Sequence, residues 1–97
     1  MTNLDDPEGQ TRAIGVDFLR TELTIGQTLA ESALAAGADA DQRARNRADA
    51  HTAYETVIKH MEQVALTSGE VRELSERLAK LRGMIDATPP PTPPDAA

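Results

Sequence analysis

The chain of 97 residues has no cysteine and no tryptophan, and its only aromatic side chains are Phe18 and Tyr54. Without cysteine there is no disulfide, no thiolate metal site and no thiol catalysis, and the composition suits a reducing compartment. With two aromatics, the core has to be aliphatic. No apolar run approaches the roughly 20 residues that a membrane-spanning helix needs. The opening residues, MTNLDDPEGQ, are acidic and polar and have no basic, apolar signal character. The expectation is a cytoplasmic protein that does not enter a membrane. A net charge of −6 argues against nucleic-acid binding, whose affinity comes mostly from neutralising phosphates.

What the sequence does have is helical periodicity. Residues 1–11 are polar and aperiodic and predict a flexible acidic arm. The spacing then predicts three helices over about 12–36, 40–66 and 69–86, together one domain over 12–87. In the first, Ile14, Phe18, Ile25, Leu29, Ala33 and Ala36 share one face, widened by Leu19, Leu23, Ala30 and Leu34. An arc this wide implies contact with two neighbours. Gly37 suits a helix stop. Asp39 and Gln42 form a capping-box pattern that starts the second helix, and Thr67 with Glu70 repeats it for the third. The second helix is predicted to turn Ala50, Tyr54, Val57, Ile58, Met61, Val64 and Ala65 inward. Val71, Leu74, Leu78, Leu81 and Ile85 form an a/d seam in the third. Residues 88–97 hold five of the six prolines and predict a disordered, extended Pro-rich tail. Short turns make neighbouring helices antiparallel. The expected fold class is therefore all-α: an up-down-up antiparallel three-helix bundle.

Two groups of residues are candidate functional features. Arg43, Arg45 and Arg47 crowd the first turns of the second helix, where cations oppose the helix dipole. They could form the rim of a site for an acidic partner segment, or be balanced locally by Glu31, Asp39, Asp41 and Asp49. No Gly-rich phosphate loop accompanies them. Glu22 falls on the apolar arc of the first helix, and a carboxylate there needs a partner or a gap. An antiparallel register pairing residue n with residue 77 minus n sets it level with His51 and Tyr54, which predicts an inter-helix polar contact of Glu22, His51 and Tyr54. Gly26 predicts close approach of another group, with Tyr54 the expected neighbour. No Glu-x-x-His pair is present, so neither a bundle metal site nor any other cofactor is expected. No catalytic residue is assigned.

Ile25-Gly26-x-x-Leu29 followed by Ala50-x-x-x-Tyr54-x-x-Val57 resembles the small-large packing of a tetratricopeptide helix pair. Asn46-Arg47-Ala48 with Ala53-Tyr54-Glu55-Thr56-Val57 is similar to small uncharacterised bacterial helical proteins over residues 16–86. Microtubule-interacting-and-transport domains are a second three-helix analogue. The resemblance to the small bacterial proteins implies the fold and a bacterial origin, and no activity. The expected function is non-enzymatic: a protein–protein interaction or scaffold module that binds a partner segment, or a second copy of itself as a homodimer, through a helical groove. The alternative is a small-ligand sensor or enzyme that uses a polar pocket around Glu22, His51 and Tyr54.

Overall fold

A computed structural model describes residues 7–35 and 39–88. They form three helices, α1 (Pro7–Leu34), α2 (Ala40–Met61) and α3 (Ser68–Ala87), and no strand occurs among the described residues. Residues 1–6 of the arm expected over 1–11, the Gly37 stop and residues 89–97 of the tail expected over 88–97 lie outside the described residues, whereas residues 7–11 are helical and Thr88 is buried at the end of α3.

α1 begins at Pro7, five residues before the periodic pattern becomes clear, and runs straight through Gly9 and Gly15. Proline suits a first helical position because its fixed φ and missing N–H cost nothing there. Tertiary contacts then hold the first third of the helix. Arg12 donates to Glu70 of α3 at 2.6 Å, and Gly15 lies against Val64, which would sit 2.9 Å from a Cβ at that position.

Asp39 caps α2 as its spacing predicts: Oδ1 accepts from the Gln42 N–H at 2.7 Å. α2 ends at Met61, short of the predicted residue 66. In the unwound stretch that follows, Val64 and Leu66 pack against the core, so their apolar periodicity is satisfied outside a helix. The α3 capping box is complete. Thr67 Oγ1 accepts from the Glu70 N–H at 3.1 Å, and Glu70 Oε1 accepts from the Thr67 N–H at 2.9 Å.

Cross-contacts give the directions. Phe18 meets His60 and Gly15 meets Val64, so α1 and α2 are antiparallel. Arg12 meets Glu70, Arg20 meets Glu73 and Gly26 meets Leu81, so α1 and α3 run the same way. The chain is thus an up-down-up three-helix bundle, with α1 packed on both other helices.

The core is aliphatic: Leu19, Leu23, Ala30, Ala50, Val57, Leu74, Leu78, Leu81 and Ile85 form one buried cluster. In α3 the seam starts at Leu74, because Val71 is exposed. In α1 the buried line differs from the expected one. It runs through Val16, Leu19, Leu23, Ala30 and Ala33, about 100° around the helix from the Phe18 line. Gly26 sits where all three helices meet: a Cβ there would be 3.0 Å from Leu81 Cδ2 and 3.1 Å from Ala53 Cβ. The close neighbours are therefore Leu81 and Ala53, and not the Tyr54 ring expected from the register.

Candidate functional site

The rotation of α1 leaves large apolar side chains outside. Ile14, Phe18 and Ile25 are 71%, 39% and 45% exposed. They lie within about 40° of one another on the helix wheel, so they make a single stripe. Beside it, Thr11, Ile14 and Gly15 with Phe18 of α1 face His60 of α2 and Val64 across a groove of about 310 Å³. The His60 ring centroid is 5.0 Å from that of Phe18, with the planes tilted by 54°. His60 Nδ1–H donates to the Thr56 carbonyl at 2.8 Å, which fixes the tautomer and turns Nε2 away from α2's backbone. A second, polar depression of about 380 Å³ lies along α2, lined by Thr52, Glu55, Thr56, Lys59 and His60. His60 thus borders both.

The three arginines do not share one environment. Arg45 is exposed, whereas Arg43 and Arg47 are half-buried. Arg47 Nε donates to the Ile85 carbonyl at 3.2 Å, near the C-terminal end of α3. There a cation favours the helix dipole, whatever it costs at the start of its own helix. Arg47 is thus a cross-helix cap.

Glu22, His51 and Tyr54 do not share a hydrogen bond, although the His51 and Tyr54 rings lie side by side. His51 Nδ1 is 2.8 Å from Glu55 Oε1, one turn along its own helix. The Tyr54 ring lies 6.4 Å from the His51 ring, and the Arg82 guanidinium of α3 sits 5.7 Å from the Tyr54 centroid. Glu22 is half-buried beside the Phe18–Ile25 stripe, and none of the hydrogen bonds or ion pairs among the described residues includes it. Among these residues, no group of three or more His, Asp and Glu could hold a metal ion.

The polar seam that does join helices lies elsewhere, between α1 and α3. Arg12 pairs with Glu70 at 2.6 Å, and Arg20 pairs with Glu73 in two bonds of 2.9 Å. Arg77 Nη2 donates to Thr24 Oγ1 at 3.0 Å. The Arg20 hydrogen bond holds the Glu73 carboxyl below its ordinary range, and the Thr67 backbone N–H does the same for Glu70. Pairs one turn apart within α3, Glu73 with Arg77 and Glu76 with Lys80, would be the local alternative. Instead Glu73 reaches Arg20, and Glu76 lies 3.5 Å from Arg72. Arginine's length hid this seam from periodicity: Arg20 falls on the polar arc of α1 but its guanidinium reaches over the shoulder.

No protein-family model, curated protein or solved structure matches this chain. No helix among the described residues is long and apolar enough to cross a membrane.

Proposed function

We propose that this chain is a non-enzymatic interaction module that receives a segment of another protein along the α1–α2 edge. The observation that carries the reading is the aligned, exposed stripe of Ile14, Phe18 and Ile25 beside the groove closed by His60 and Val64. A bundle this small gains stability by burying large apolar side chains, and these three stay largely outside where a partner could cover them. The tetratricopeptide-like helix pair of the sequence suits the same role, since such pairs hold a helix or extended segment against one face. Of the arginine rim, by contrast, Arg45 is exposed while Arg43 and Arg47 are half-buried.

Site-specific photo-crosslinking tests this. A crosslinking residue placed at Ile14 or Phe18 should trap a discrete protein adduct in living cells, whereas one at exposed Ser75 of α3 should not. Equal, diffuse labelling from all three positions would remove the α1–α2 edge as the binding surface.

A further inference from the structure

We propose that the segment received there is an amphipathic helix bearing a basic residue, and that Glu22 is the ionic anchor for it; this rests on the interaction reading above. Glu22 lies four residues after Phe18 and three before Ile25, so it shares their surface of α1. It is half-buried and takes part in no hydrogen bond or ion pair among the described residues. A carboxylate so placed loses hydration without gaining a partner, and a cation brought alongside supplies the missing compensation.

Among the described residues no cation pairs with Glu22. Arg12 and Arg20 are held by Glu70 and Glu73 on the α3 side. His60, with Nδ1 bonded to the Thr56 carbonyl, is the one titratable group lining the groove. The other charge flanking the stripe on α1 is Asp17, also acidic and exposed. The net charge of −6 then favours a basic partner over a second copy. In a two-fold pair the stripe would meet itself and bring Glu22 and Asp17 of both copies together without a cation between them. A helix is the fitting shape because Ile14, Phe18 and Ile25 extend over roughly 16 Å of α1, about three turns, with helical spacing that a partner helix can match.

A displayed library of amphipathic helical peptides, fixed at the apolar positions and randomised on the flanks, provides the test. Selection on the full chain should enrich Lys or Arg at one flank position. The leading peptide should lose about tenfold or more in affinity on Glu22→Lys, and its own Lys→Glu version should recover on that variant, as expected for a charge pair. Ile14→Lys, at an exposed position that the fold does not need, and Phe18→Asp should abolish binding of either peptide while helical circular dichroism is unchanged. If enriched peptides need Phe18 and Ile14 but show no basic preference, or ignore Glu22→Lys, the anchor is wrong while the α1–α2 surface stands. Binding that ignores Ile14→Lys and Phe18→Asp, or a library that yields no binder, overturns both. Sedimentation revealing a dimer dispersed by Ile14→Lys would make a second copy the occupant and also overturn the proposal.

Discussion

Arg20 of α1 holds Glu73 of α3 by two parallel hydrogen bonds, Nε to Oε2 and Nη2 to Oε1, each 2.9 Å long. This two-pronged pair, with Arg12 and Glu70 next to it, fixes the level at which α3 lies along α1. Parallel helices that are not neighbours in sequence have no short turn to set that level. The charge ladder and the Gly26–Leu81 contact do so here.

Acid should loosen this seam. Glu73 and Glu70 both titrate below their ordinary value of 4.5, Glu73 chiefly through Arg20 and Glu70 chiefly through the Thr67 backbone N–H. A carboxyl depressed in the folded state contributes stability that is present above its unfolded pKa and is lost as pH falls through the folded one. The melting temperature should therefore decline as pH falls below about 4.5. Glu70→Gln/Glu73→Gln should melt lower at neutral pH and show a shallower acid decline. Thermal melts at stepped pH read both, and identical slopes would exclude the seam as a source of the decline.

Gly26 of α1 and Gly83 of α3 should respond differently to alanine. Nothing lies within 4 Å of a Cβ at Gly83, so Gly83→Ala should raise stability by about 0.5–1 kcal/mol, the usual helix gain. At Gly26 the new methyl would press on Leu81 at 3.0 Å and on Ala53 Cβ, fixed to its backbone, at 3.1 Å. Gly26→Ala should gain nothing, and Gly26→Leu should cost about 1–3 kcal/mol or more by overpacking. Chemical denaturation of the three variants checks the contrast.

Arg47 and Arg45 should separate in a stability assay. Arg47→Ala removes the bond to the Ile85 carbonyl and should cost about 0.5–1 kcal/mol. Arg45→Ala, at an exposed site, should stay within about 0.5 kcal/mol of the parent. Equal effects in denaturant would show that Arg47 does not act as a cap.

Leu81 is buried to 1% exposure and reaches the Gly26 junction. Leu81→Ala should cost about 2–5 kcal/mol, as large-to-small changes in a packed core do. Val71→Ala, exposed and about one turn before the α3 seam begins, should cost much less. Urea midpoints give the comparison.

Much of the architecture was legible in the order of residues. Asp39 and the Thr67–Glu70 box placed two helix starts, and the steps of three and four from Leu74 to Ile85 placed the α3 seam. Capping and periodicity are local, so a one-dimensional pattern carries them. The ends of α1 and α2 were less legible. Pro7 to Thr11 has no apolar period, and Val64 and Leu66 keep theirs while leaving the helix.

The candidate site was only half visible. Glu22 stood out as a carboxylate on an apolar arc, but its level with His51 and Tyr54 did not bring the three together. A register sets height along a helix and leaves direction around it open. Tyr54 turned to Arg82 and His51 to Glu55 instead.

By itself the sequence determined that there are three helices, that they alternate in direction, and that aliphatic side chains hold them. Which side of α1 faces inward was decided only by the tertiary structure. The apolar arc of α1 is wider than the surface its two neighbours cover, so the hydrophobic pattern alone does not select a rotation. The close fit of Gly26 at the three-helix junction and the grip of Arg20 on Glu73 favour the one that leaves Ile14, Phe18 and Ile25 facing water.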